Sequence, residues 1–364
     1  MLYRVFESWR FTAAILVMLY HFLRYAPAGH EWISHWLFRL LPLMDMFLMI
    51  SGFLIMMRYE PEALRRRGFY ADFLMRRLAR FYPLYLATLL FFVGVAIAVH
   101  LGFVQTLDPG RYAWSALLQN VMLVQAWGTT DQLTFNYVAW TLSAEWFCYL
   151  LFPLFVIVFR RGGLTGLASL AVLTMIAMEA ATASGVMPNE TWFHADTHAA
   201  PRAFADFALG ALVAMAVRQS RLSLTTPLPG WGAFALAIAA MIGDQNPYLV
   251  LVLLVAAMYL SALAEANRPE SSAWLAPLHP VGKVSFGIYL IHPVMETLLL
   301  AVAWRWVLAP AGIGFVPALL GAMTLTIMVA MFSDRYLEKA AAGRMRTLMS
   351  PAAHPTGATV APQD

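Results

Sequence analysis

Arg10 and His21 are the first residues in the chain whose types and spacing need a chemical reason. They bracket ten mostly apolar residues in the stretch RFTAAILVMLYH. Eleven helical steps of 100° make three turns plus about 20°, so the two side chains share one helix face, about 16 Å apart along the axis. An arginine inside a hydrocarbon span costs roughly 2.5–3.5 kcal/mol on insertion scales, so it should face protein or a water-filled cavity. One reading is structural, with the arginine snorkelling to a surface and the histidine bonding across helices. The other is chemical. Imidazole, with an ordinary pKa of about 6.5, suits a general base, and such a base needs a group that fixes its tautomer. Asp45, near the start of the second apolar run, and Glu145, near the start of the fourth, are the candidate partners. The basic run holding Arg76, Arg77 and Arg80 supplies guanidiniums that match phosphate oxygens, with topology charge and lipid-headgroup contact as the plainer alternative.

The elements that must position these groups are membrane helices. The chain is 61% hydrophobic and only 12% charged, against about a quarter charged for a soluble domain. Apolar runs of about twenty residues recur along it, which is the pattern of a polytopic helical membrane protein and not of a β-barrel. Ten spans are expected, at 5–23, 40–57, 81–101, 139–159, 164–183, 203–217, 228–243, 247–264, 284–301 and 313–333. With the N-terminus in the cytoplasm, nineteen of the 24 Lys and Arg fall inside and five outside, which sets both termini on the cytoplasmic side. The fold class is therefore all-α. The N-terminus does not read as a cleaved signal peptide. The stretch WSALLQNVMLVQAW between the third and fourth spans is too short to cross and reads as an interfacial or re-entrant helix. Residues 1–349 form the integral-membrane domain, and 350–364, rich in Pro, Ala and Thr, read as a disordered tail. The single cysteine, Cys148, rules out an intramolecular disulfide framework.

ESWRFTAAILVMLYHF resembles the opening motif of the acyltransferase 3 family of integral-membrane O-acyltransferases, with arginine and histidine ten residues apart. Four further segments follow in the order of that family: DMFLMISGFLI, FLMRRLARFYPLY, WTLSAEWFCYLLFP and SFGIYLIHP. Together they cover about 290 residues and are specific as a set, although each alone is weak. The sequence departs at Thr141, where the family often has serine, which argues against a nucleophile there. The resemblance implies transfer of an acyl group, acetyl foremost, from cytoplasmic acyl-CoA to a hydroxyl of a carbohydrate or other acceptor, often a cell-surface glycan. It implies a stand-alone form without a fused hydrolase-like domain, in the inner membrane; no metal is expected. On that reading His21 activates the acceptor hydroxyl as general base, or less favourably carries the acyl group itself. Arg10, Arg76, Arg77 and Arg80 hold the acyl-CoA.

Arg202 matches the family's arginine before a glycine-containing helix, and His292 matches the last signature; both are candidate acceptor-side residues. Glu296, four residues after His292, has no family counterpart in this reading. His194 and His198 fall short of a zinc set. No phosphate-binding P-loop, dinucleotide fingerprint or G-x-S-x-G elbow is present, which argues against an ATPase or a serine hydrolase. A proton-coupled transporter of a sugar or small molecule is the alternative class, since intramembrane His, Asp and Glu also serve proton relays. An accessory subunit of a glycan-export assembly is a third. Acceptor identity, acyl length and oligomeric state are not legible.

Overall fold

The computed structural model describes residues 2–59, 68–106, 108–194 and 196–338, with 340 and 343. It is built from helices, with no strand among the described residues. In hydrocarbon every backbone N–H and C=O needs an internal partner, and a helix supplies it within one segment. In chain order the helices are α1 (Arg4–Phe22), α2 (Glu31–Arg39), α3 (Leu43–Arg58), α4 (Phe69–His100), α5 (Leu117–Met122), α6 (Trp140–Leu150), α7 (Phe152–Ala183), α8 (Ala199–Gln219), α9 (Leu228–Ile242), α10 (Pro247–Asn267), α11 (His279–Gly282), α12 (Ser285–Met295) and α13 (Phe315–Ser333). The tail expected at 350–364, and the basic residues 65–67, 344 and 346, lie outside the described residues.

Among the described residues, seven segments are long and apolar enough to cross a membrane. The difference from ten spans has three local causes. Arg4, Glu7 and Arg10 crowd α1 with charge, and α9 has only fifteen residues. The run Phe152–Ala183 is continuous by hydrogen bonding but is broken at Gly163, whose φ of 58° and ψ of −146° are not helical. A left-handed φ favours glycine, so this residue divides one long helix where the sequence reading places a loop.

Two parallel helix pairs carry the site. The first is α3 beside α8. Gly52 lies against the backbone of Phe207, and Gly210 against that of Met49; a Cβ on Gly210 would sit 1.8 Å from the Met49 carbonyl oxygen. Small residues let the backbones approach this closely, which is how membrane helices pack without a hydrophobic drive between them. Arg202 meets Asp45 at one end of the pair, and Arg218 donates to the Met57 carbonyl at 2.8 Å at the other. The second pair is α1 beside α11 and α12. Gly282 abuts Glu7, and His21 abuts His292. Beyond Met295, α12 continues as a π-helix from Glu296 to Leu308.

The stretch expected to be an interfacial or re-entrant helix is different. Only Leu117–Met122 are α-helical, and Leu123 turns the chain with a φ of 57°. Leu123, Gln125 and Ala126 are buried. Tyr85 and Tyr82 of α4 donate to the carbonyls of Asn120 and Val121, and Ser143 of α6 donates to that of Leu123. The protein supplies the backbone partners that an irregular segment cannot find in lipid.

Candidate active site

The α1 face carrying Arg10 and His21 opens onto two different environments, one at each end of the helix. At the Arg10 end lies a cavity of about 390 Å³ lined by Arg10, Ser51, Arg58, Arg77, Arg80, Glu145, Tyr149 and Phe286, among others. Arg10 stacks its guanidinium on Phe47 at 4.4 Å. Arg77 lies among the rings of Tyr59, Phe73 and Tyr149 at 5.6–5.8 Å. The buried Nε atoms of both arginines have no hydrogen-bond partner among the described residues. Stacking fixes the plane of a guanidinium while leaving its N–H edge for an oxyanion. Burial would push the Tyr59 hydroxyl, just beyond α3, upward, but Arg77 and Arg76 beside it outweigh that and hold it below the ordinary phenol range. Arg76 is exposed and does not line the cavity.

Glu145 belongs to this end, not to His21. Its Oε1 accepts the Tyr149 hydroxyl at 2.5 Å, on the cavity wall with Arg10 and Arg80. The expected pairing with His21 fails because the fourth span does not start at the surface. Tyr289, one turn before His292 on α12, donates to the Val138 carbonyl at 2.9 Å, so α6 already begins a turn below the histidines. Glu145, five residues further on, is carried down to the depth of Arg10.

Asp45 is also committed elsewhere. Its Oδ1 accepts from Arg202 Nε at 2.6 Å, with both side chains buried. Arg202 also donates to the Phe193 carbonyl and lies 5.7 Å from the Trp140 ring. Asp206, one turn along α8 and fully buried, adds a second carboxylate to the same cluster. Arg202, expected on the acceptor side, thus ties α3, α8 and the 184–198 connection together.

At the other end of α1, His21 stacks on His292 with ring centroids 5.2 Å apart and planes 23° from parallel. Tyr137 meets His21 edge-on at 4.9 Å and donates its hydroxyl to Glu296 Oε2 at 2.8 Å. Among the described residues, the buried His21 Nδ1 has no hydrogen-bond partner, and neither ring nitrogen of His292 has a side-chain one. Asn136 holds the connecting segment in place, donating to the Leu290 carbonyl at 3.1 Å and to Thr88 at 2.9 Å. Arg111 lies over the Tyr137 ring at 4.5 Å and Arg24 at 5.6 Å. Thr141 spends its hydroxyl on the Val138 carbonyl.

Between the two ends lies an aromatic layer. Phe47 is one turn from Ser51 on α3, and Tyr289 is one turn from Phe286 on α12; their rings are 6.2 Å apart, and Tyr289 is 5.8 Å from His292. Phe47 and Tyr289 therefore separate the cavity from the histidines.

The structure brings Arg10, Arg77, Arg80 and Glu145 together at one end and His21 and His292 at the other. Arg76, Asp45 and Arg202 stand apart from both. Tyr137, Arg111 and Arg24 were missed by the sequence reading. Arg24, at i+3 from His21, was visible in the helix pattern; Tyr137 and Arg111 sit in an irregular segment with no period to reveal a face. Glu296 was visible through its i,i+4 spacing from His292.

A helical membrane protein with arginines at one end of a helix and paired histidines at the other defines the class. The particular family follows from comparison: the acyltransferase 3 model, described as an acyltransferase domain, matches residues 4–333, and the chain belongs to that family. It is 28% identical over 270 residues to acyltransferase MdmB of Streptomyces mycarofaciens, covering 68% of this chain and 66% of that protein. It is 24% identical over 373 residues to the peptidoglycan O-acetyltransferase OatA of Listeria monocytogenes, covering 91% of this chain and 54% of that one. It is 25% identical over 336 residues to nodulation protein 10 of Rhizobium leguminosarum bv. viciae, covering 84% and 88%. The chain thus spans about two thirds of the first of these relatives and about half of the second. No solved structure matches it.

Proposed function

We propose that this multi-pass membrane acyltransferase moves an acyl group, acetyl foremost, from acyl-CoA bound at the Arg10 cavity to a hydroxyl of an acceptor at His21. The observation that carries the proposal is the placement of two sites, a cationic cavity and a stacked histidine pair, at opposite ends of one helix face. With the termini cytoplasmic and the protein in the inner membrane, the donor enters from inside and the acceptor, a cell-surface carbohydrate foremost, from outside. The peptidoglycan O-acetyltransferase among the relatives supports an acetyl donor and a surface acceptor.

Arg77 and Arg80, with Arg10 at the inner end of the cavity, present guanidiniums to the pyrophosphate and further phosphate of coenzyme A. The Phe47 and Tyr289 rings part to admit the pantetheine arm, and His21 takes the proton of the acceptor hydroxyl as its oxygen attacks the thioester carbonyl. The C–S bond breaks, the ester forms, and the departing thiolate takes up a proton. His292 and Tyr137 fix the plane of the His21 ring, and Glu296 orients Tyr137.

Two measurements test this. Acyl transfer by a folded His21→Ala protein at the wild-type rate overturns the base assignment. Binding of labelled acetyl-CoA to the purified chain should be saturable and weaken in Arg77→Ala and Arg80→Ala; no binding by an intact fold would favour the transporter.

A further inference from the structure

We infer that the acceptor carries an oxyanion, a carboxylate or a phosphate, close to the hydroxyl that is acylated, and that Arg24 and Arg111 bind it. The inference rests on the acyltransferase reading for the word acceptor, but not for the site itself.

The charge inventory at the His21 end leads there. Of the five arginines expected outside, Arg305 is exposed on the π-helix beyond Glu296, and the partners of the other four, Arg24, Arg39, Arg111 and Arg202, divide cleanly. Arg39 pairs with Asp244 and donates to the Ile242 carbonyl. Arg202 pairs with Asp45. Arg24 and Arg111 have no carboxylate partner among the described residues, and both face the histidine pair through Tyr137. Arg111 donates only its Nε, to the Phe135 carbonyl at 3.2 Å. Asp108, the nearest acid in sequence, accepts the Arg111 backbone N–H and Gln132 instead. Glu296 accepts from Tyr137 and forms an ion pair with neither arginine.

Two guanidiniums against one carboxylate leave this end net positive. A neutral sugar needs no such field. A topological role does not explain the arrangement either, because the positive-inside bias places Lys and Arg on the cytoplasmic side. Stacking on Tyr137, Phe92 and Tyr112 holds Arg111 in one plane, with its terminal nitrogens free. That geometry suits a planar or tetrahedral oxyanion taken by a fork of N–H donors. Arg24, one turn past His21 and exposed, meets the same ligand from the solvent side. An oxyanion held between them places a neighbouring hydroxyl on the same sugar unit within reach of the His21 ring.

The test uses the full chain in lipid nanodiscs and three matched tetrasaccharides, one neutral, one bearing a glucuronic acid and one bearing a glucose 6-phosphate. Binding is read by thermophoresis and transfer by labelled acetyl-CoA. The expected result is binding of at least one acidic member about ten-fold or more tighter than the neutral one. That preference should fall about ten-fold in Arg24→Gln or Arg111→Gln, and weaken as salt rises from about 50 to about 300 mM. The two acidic arms distinguish carboxylate from phosphate. Equal binding of all three, binding of none, or acidic binding unchanged in both variants overturns the inference. Acidic binding without transfer leaves it standing and counts against the acyltransferase reading instead.

Discussion

Gly210→Ala should loosen the α3–α8 pair, and the size of the effect follows from three distances. The added Cβ would stand 1.8 Å from the Met49 carbonyl oxygen, 2.7 Å from its carbon and 2.9 Å from the Phe53 nitrogen. All three are backbone atoms, so no side-chain rotation relieves them. Ordinary contact is about 3.5 Å, so the helices must part by about 1.7 Å. Overpacking of this kind costs about 1–3 kcal/mol, and a rigid backbone neighbour puts it at the upper end. At about 2–4 °C per kcal/mol for a domain of 150–250 residues, the melting temperature should fall by about 5 °C or more. Activity should fall further, because α3 also carries Asp45, Phe47 and Ser51, and a shift of about 1 Å at a catalytic site can cost about 100-fold. The control is Gly94→Ala on α4, where nothing lies within 4 Å of the new Cβ. Tryptophan fluorescence during heating of both variants in nanodiscs reads the difference. Equal melting of the two would refute the close-crossing argument.

Three other outcomes are expected. Asp45→Asn strips Arg202 of its 2.6 Å carboxylate partner and should cost about 3–5 kcal/mol, whereas Asp206→Asn should cost clearly less, since it is Asp45 and not Asp206 that forms the ion pair with Arg202; chemical denaturation of the two compares them, and the reverse order would show that Asp206 is the main counter-ion. Phe47→Ala should open the aromatic layer, so that Thr141→Cys, in a chain with Cys148→Ser, reacts with an impermeant maleimide from the Arg10 side only when Phe47 is removed; equal labelling with and without Phe47 would mean the layer is no barrier. Tyr137→Phe leaves the Glu296 carboxyl without its 2.8 Å donor, which should cost about 1–3 kcal/mol and slow transfer with little change in acetyl-CoA affinity; a selective loss of donor binding would contradict the two-site arrangement.

The sequence alone determined that the chain is helical and membrane-embedded, because runs of about twenty apolar residues leave a chain no other way to satisfy its backbone in lipid. It also determined that Arg10 and His21 share a face, since helical period converts spacing into direction without reference to any neighbour. Depth was less legible. The start of the fourth span was placed at the surface by hydropathy, but the segment before it is buried and pinned by Asn136 to α12, which carries Glu145 past His21 to Arg10. Partner choice was not legible at all. Asp45 and His21 are expected at a similar depth, yet the crossing at Gly52 and Gly210 locks α3 onto α8 and gives Asp45 to Arg202. The residues around His21 that the sequence did not single out, Tyr137 and Arg111, come from irregular chain between α4 and α6. Local periodicity fixes which way a side chain points; only the packing of one helix against another, and of loops against both, decides what it meets.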